Sequence, residues 1–451
     1  MEKNNSGPKH KTAIKLSDHF TYKRLLRFTM SPIIMMVFTS VYGVVDGFFV
    51  SNFVGKTPFA AVNFIMPFLM ILGTIGFMFG TGGSALVSRT MGMRDREKGN
   101  AIFSLLVYVS GALGMLIALL GIIFMPQVAA ALGAEGAMLR DSILYGRVVL
   151  IALPGFILQL EFQSFFVTAE KPKLGLLVTV ASGVTNMILD AVLVIPFGLV
   201  GAALATALSQ LVGGVVPLIY FSRPNSSLLR LGRMSFDGMA LLKTCTNGAS
   251  ELMNNVSMSL VNMLYNIQLL AYAGENGVAA YGTIMYVNFV FISLFIGYSI
   301  GMAPVVGFHF GAENRSELKS LLRKSAVIIS VCSVAMLGLG MLLAGPLSRI
   351  FVGYDSALFK MTVNGFKIFT VSFLFAGFAI FFSGFFTALN DGLTSAIISF
   401  LRTLVFQIAA VLLLPLIWGI NGIWWSVVVA EALAVVVGVI MLAVKQKKYH
   451  Y

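Results

Sequence analysis

The stretch TNMILDAV sets Asn186 and Asp190 four residues apart, which on a helix is a single face. Both lie within a long apolar run. So does Asp46, in VVDGFFVSN, and so do Glu161, Glu251 and Glu431, while Arg402 is the sole basic residue well inside such a run. A charge at the centre of a bilayer-length helix costs about 2.5–3.5 kcal/mol on insertion scales. Each of these groups therefore needs a partner, a proton or a cation. Asp46, Asn186 and Asp190, two carboxylates and a carboxamide, can share a proton or ligate a hard cation such as sodium through oxygen. They can equally form a hydrogen-bonded cluster that locks helix packing. Glu251 is a candidate for a second site in the other half of the chain. Glu161, in LQLEFQSFF, either faces a cavity or is merely paired. Glu431 is expected to be capped by a hydroxyl or a water, and Arg402 to be a structural charge holding a carboxylate or backbone carbonyls.

The elements that must position these groups follow from composition. Of 451 residues, 58% are hydrophobic and 11% charged, against about a quarter charged in soluble domains. A helix needs about 20 apolar residues to cross the hydrocarbon core. Twelve segments of that kind can be counted, near 28–53, 59–88, 100–125, 142–168, 175–197, 199–221, 241–272, 278–308, 319–344, 359–388, 393–416 and 422–444. The fold class expected is an all-α polytopic membrane protein.

The net charge of +13 follows topology rather than nucleic-acid binding. With alternate loops assigned to one side, 24 of the 31 basic residues fall on the side of the termini, six on the other, and Arg402 within a helix. The positive-inside rule then places both termini in the cytoplasm of a cell bounded by this membrane, the inner or plasma membrane. The first 27 residues are polar, without the short apolar core of a cleavable signal.

The chain repeats itself at an offset of 219 residues. Gly55 meets Gly274, Ala60 and Ala61 meet Ala279 and Ala280, Gly82 meets Gly301, and Gly92 meets Gly311. Farther on, Ser164, Phe166, Thr168 and Ala169 meet Ser383, Phe385, Thr387 and Ala388, and Pro196 meets Pro415. Six helices per half is an even number, so both halves enter the membrane in the same sense, the parallel kind of repeat. The expected organisation is an N-terminal segment (1–27), a first lobe (28–221), a polar linker (222–240), a second lobe (241–444) and a tail (445–451).

Other chemistry is missing from the sequence. The four histidines do not cluster, there is no Walker-type phosphate loop, and GxSxG, HExxH and paired cysteines are absent. An enzyme is not expected, nor a cofactor beyond a coupling ion. Cys245 and Cys332 read as small packing residues.

Several stretches together resemble the multidrug and toxic compound extrusion (MATE) transporters, of the prokaryotic type. NMILDAVLVIPFGLVGAALATALSQ is similar to the family's N-x-x-L-D segment followed by G-A-A-x-A-T, and GMAPVVGFHFGAENRSELK to the close of the first hairpin of its second lobe. FLRTLVFQIAAVLLLP resembles the eleventh helix, with its arginine at Arg402. In TAEKPKLG, Thr168 and Glu170 stand where the family usually has arginine and glycine. The resemblance implies outward antiport of organic, often cationic compounds against proton or sodium entry. It implies that Asp46, Asn186 and Asp190 form the first-lobe ion site, and that Glu251 matches a second-lobe glutamate. No acidic residue lies in 359–388, where some members carry an aspartate, so a complete second-lobe site is not expected. The partners implied are small cationic or amphipathic molecules and membrane lipid, with the protein a monomer. The rival reading is a flippase for lipid-linked oligosaccharides, but one intramembrane base against five acids disfavours an anionic carrier.

Overall fold

The computed structural model describes residues 14–451 apart from residue 55, and at 44, 46–48, 50–52, 56 and 59 the backbone alone. Among the described residues there are helices and no strands. Eight helices are long and apolar enough to cross a membrane, and two more crossings are bent pairs. These are Gly136–Ile151 with Leu153–Thr168, bent by 57°, and Ser356–Thr370 with Phe373–Ala388, bent by 47°. The first bend falls beside Pro154, whose ring cannot donate to the preceding turn. Two of the eight are too long for one passage at about 1.5 Å per residue. Pro172–Ser222 has 51 residues and breaks at Gly198 (φ 55°, ψ −127°), and Gly238–Gly311 has 74 and breaks at Gly274 (φ 63°, ψ −154°). Only glycine adopts such dihedrals cheaply. Twelve crossings result. The first is Tyr22–Phe53, the second Lys56–Gly92, the third Arg96–Ala131 and the ninth Arg315–Val352. The eleventh is Gly392–Trp418 and the twelfth Ile420–Tyr449. Gly419, two positions beyond the strict repeat mate of Gly198, breaks the chain between the last two with nearly the same dihedrals (φ 57°, ψ −138°).

Glycines hold the two lobes together on the face that bears both chain ends. Gly92 lies against the Phe308 backbone and Gly311 against that of Arg89. Arg89 and Phe308 are themselves repeat mates, as are Gly92 and Gly311, so the contact is its own image under a two-fold axis. Gly82 abuts Thr244 and Gly248 of the seventh helix, and Gly301 abuts Thr29 of the first. The turns after the second and eighth helices match as well, with Arg94 (φ 64°) and Glu313 (φ 54°) both left-handed. Such an arrangement is a parallel repeat with its axis along the membrane normal.

A side chain at Gly311 has nowhere to go, because its Cβ would stand 2.7 Å from the carbonyl carbon of Arg89. Gly311→Val is expected to force the second and eighth helices apart and to cut transport at least tenfold, with a stability cost of about 1–3 kcal/mol. Thermal unfolding and vesicle efflux would check this. Unaltered efflux would show that the closed face plays no part in the transport cycle.

The polar stretches 14–21, 222–240 and 445–451 are more ordered than their composition suggests. The first helix begins at Tyr22, and the segment before it straps both lobes. Leu16 N–H donates to Glu170 Oε1 (2.7 Å) in the first lobe, and Phe20 N–H to Glu317 Oε1 (2.9 Å) in the second. Leu16 and Phe20 are fully buried. Burial pushes the Glu170 carboxyl above its ordinary value, against the opposing Leu16 hydrogen bond. The linker 222–240 is likewise no loose tether. Arg230 N–H donates to Asn100 Oδ1 (2.8 Å) and Gly232 N–H to Ser104 Oγ (3.0 Å), pinning it along the third helix. The twelfth helix runs past residue 444 into the expected tail because Asp391 holds its end. Tyr449 Oη donates to Asp391 Oδ2 (2.8 Å) and Lys445 Nζ lies 3.3 Å from the same oxygen. Burial raises the Asp391 carboxyl, but Tyr449, Thr394 and Lys445 outweigh it and hold it below the usual carboxylate value.

Candidate ion site and central cleft

The fifth helix, Pro172–Leu189, passes into a π-helical turn, Asp190–Val194, directly at the aspartate. Pro196 lies just beyond and lacks the N–H that would continue an α-helical ladder. Single π turns inside α-helices recur at functional sites. Here the turn begins with Asp190, which is fully buried, one face-turn above Asn186, 2% exposed. The Asn186 amide oxygen has no hydrogen-bond partner among the described atoms.

The first helix packs on this face. A Cβ at Gly183 would lie 2.6 Å from the Phe38 ring and 3.1 Å from that of Tyr42. The two helices run in the same direction, since four crossings separate their starts. Asp46 follows Tyr42 by four residues on the first helix, while Asn186 and Asp190 follow Gly183 by three and seven. The Asp46 backbone position is therefore level with the pair, whereas its side chain lies outside the described residues. Around the pair, Gln159 Nε2 donates to Ser182 Oγ (3.3 Å), which donates to the Ser209 carbonyl (2.6 Å), tying the fourth, fifth and sixth helices together. The arrangement offers buried oxygen donors, and either a proton or a sodium ion suits them.

Glu161 is not part of this group. It is fully buried on the fourth helix, where Ser110 Oγ of the third helix donates to it, and its backbone lies against Gly80 of the second.

In the second lobe, Arg402 sits in another π turn, Leu401–Val405. Its Nε donates to Glu431 Oε2 (2.8 Å) and Oε1 (3.0 Å), and a terminal nitrogen donates to Oε1 (2.9 Å). This corrects the expectation of a hydroxyl or water cap, because the Glu431 carboxylate is engaged by a guanidinium. Glu251 is half-buried, more than three turns into the seventh helix and within the field of Arg402. Tyr265 Oη donates to Gln407 (2.8 Å) and Tyr281 Oη to Asn262 (2.7 Å), with the two rings stacked at 5.2 Å. Sequence reading singled out neither tyrosine. Among the described residues no group of three His, Cys, Asp or Glu side chains stands ready for a metal.

Away from the face that bears the chain ends, the lobes part. A cleft of about 980 Å³ opens there between the second helix, with Asn63, Phe64 and Pro67, and the seventh and eighth, with Asn262, Asn266 and Glu275. Drug-sized ligands occupy pockets of roughly 300–1,000 Å³. Its lining carries one acid and no base.

The family profile MatE matches residues 32–192 and again 252–413, once per lobe. The chain belongs to the MatE family. MatE proteins are multidrug efflux transporters rather than enzymes, and the double match is the duplication seen in the glycines. The curated relatives include the multidrug export protein MepA of Staphylococcus aureus strain MRSA252, 25% identical over 429 residues and covering 93% of each chain. MepA of Staphylococcus saprophyticus is 26% identical over 428 residues, again covering 93% of each. Among solved structures, an outward-facing MATE transporter of the MOP superfamily superposes with a TM-score of 0.91 at 22% identity, covering 98% of this chain and 100% of that one. A MATE transporter in complex with MaL6 gives a TM-score of 0.91 at 22% identity, covering 96% of this chain and 98% of the other. As a MatE transporter the chain has a two-lobe, twelve-helix membrane fold.

Proposed function

We propose that this MatE chain is a secondary active antiporter. It exports organic, often cationic or amphipathic compounds in exchange for proton or sodium entry, by alternating access of its two lobes. Both termini are read as cytoplasmic and the unit as a monomer. The observation that carries this reading is the buried pair Asn186 and Asp190, seated at a π turn and level with Asp46 on the adjacent first helix. Two buried oxygen-bearing side chains, Asn186 and Asp190, form a place where a proton or cation would change the local charge and hydrogen bonding. The first helix that would feel the change also packs against the second lobe, at Gly297 and Gly301. Binding there biases one lobe arrangement against another only through differential affinity for the two. The cleft adds the cargo side of the argument, with an acid, three amide side chains and apolar walls to receive a lipophilic cation. The named multidrug exporters among the relatives support the same substrate class.

The test is efflux of a fluorescent organic cation from reconstituted vesicles, with proton and sodium gradients imposed separately. One gradient should drive efflux at least tenfold over the ungraded control, and the other should not, which identifies the ion. Equal rates with no gradient, a proton gradient and a sodium gradient would sink the antiport reading. Asn186→Ala is expected to weaken the response to the working gradient several-fold while leaving the protein folded.

A further inference from the structure

The face that bears the chain ends carries a small basic pocket between the lobes, apart from the ion site and the cleft. It holds about 160 Å³, room for about five waters at roughly 30 Å³ each and hence for a phosphate group. Arg89 at the end of the second helix, Lys98 at the start of the third and Lys243 at the start of the seventh all line it. Among the described residues, no carboxylate lies within ion-pairing distance of any of the three. The one acid in the lining, Asp237, keeps its charge but directs an oxygen to the helix end. Its Oδ1 accepts from the N–H groups of Met239 and Ala240 (3.0 Å each) and caps the seventh helix. Arg89 is held in place by the Phe310 ring, its guanidinium carbon 5.0 Å from the centroid. Three cations against one carboxylate leave the lining net positive, which favours an anion there.

We infer that this pocket is a site for a phosphate-bearing anion, with the Arg89 fork, Lys98 and Lys243 around the phosphate oxygens. Guanidinium matches phosphate geometry in bidentate fashion, and lysines add point charge. The apolar rim favours a phospholipid headgroup as the source. Met93 and Met239, which line the pocket, are 52% and 58% exposed, as side chains beside acyl chains would be. Basic pockets between transmembrane helices are a recurring means of holding anionic headgroups. The site has a mechanical consequence. Arg89 and Lys98 belong to the first lobe and Lys243 to the second, so the bound phosphate bridges the lobes and favours the arrangement in which this face is closed.

The experiment compares the full-length protein with Lys98→Gln/Lys243→Gln and with Arg89→Gln in detergent. Phosphatidylglycerol, phosphatidylcholine and inorganic phosphate are titrated in turn, with native mass spectrometry reading lipid retention and thermal unfolding reading both lipid and phosphate. Wild type should retain phosphatidylglycerol saturably with a rise in its unfolding midpoint. Phosphatidylcholine, whose choline cancels the phosphate charge, should not compete. The double lysine variant should bind about thirtyfold more weakly, in keeping with two lysines lost near an anionic headgroup. A wild-type-specific response to inorganic phosphate alone would support the site and make the ligand a soluble phosphate. A response to the lipid alone would support it with the headgroup as source. Phosphatidylglycerol and phosphate acting equally on wild type and both variants would overturn it, and so would phosphatidylcholine binding as tightly as phosphatidylglycerol. Both lysines are exposed, so the double variant tests the proposal even if Arg89→Gln unfolds.

Discussion

Asp190→Asn is expected to abolish gradient-driven efflux, by about a hundredfold or more, while leaving the protein folded. The carboxamide has the shape of the carboxylate and keeps a polar group at the fully buried start of the π turn. It cannot take up a proton at neutral pH, and it withdraws the negative charge that a sodium ion would need. Driving a two-state equilibrium from 1:99 to 99:1 takes a differential affinity of about 5.5 kcal/mol. An ion that no longer distinguishes the two lobe arrangements supplies none of it. Cargo affinity should be nearly unchanged, because the cleft lies between the second, seventh and eighth helices. Efflux and equilibrium binding of the same fluorescent cation therefore separate coupling from folding. Asp46→Asn is expected to behave alike. Retention of gradient-driven efflux within about twofold in the Asp190 variant would make Asn186 and Asp190 a packing cluster and nothing more.

The sequence carried some of this more plainly than the rest. Asp190 and Asn186 announced themselves because polar groups four apart in an apolar run share a face, and that face needs no knowledge of the neighbours. Gly92 and Gly311 were visible as repeat mates, but their purpose was not. Only the assembled lobes show that each meets the backbone opposite its own mate. The break at Gly198 was legible, since the apolar segments 175–197 and 199–221 part there, but the positive φ that turns the chain shows only in the fold. The strap over both lobes was hidden by composition. Residues 14–21 read as polar, and just two side chains, Leu16 and Phe20, carry its burial. Ser110 was equally silent as the partner of Glu161, because a serine in an apolar helix usually bonds its own backbone.

Arg402 and Glu431 show the same limit and lead to the second large effect. They stand 29 residues apart on successive helices, and periodicity does not say which faces of a hairpin meet. The side chains are 12% and 7% exposed, and the guanidinium spans both carboxylate oxygens. Arg402→Met should therefore cost about 3–5 kcal/mol, because it strands a buried carboxylate rather than because the pair is itself strongly stabilising. Glu431→Leu alone should cost a similar amount by stranding the guanidinium. The double variant Arg402→Met/Glu431→Leu should return close to wild-type stability, as apolar replacements of buried pairs often do. Thermal unfolding of the four proteins in one detergent gives the coupling directly. A single-variant cost below about 1 kcal/mol would mean that water reaches the pair and the burial argument fails. Transport by the stable double variant then assigns the pair's purpose. Wild-type efflux makes it a clamp between the eleventh and twelfth helices. Lost efflux with restored stability makes it part of the moving machinery, with Glu251, which lies in the same positive field, the next residue to replace.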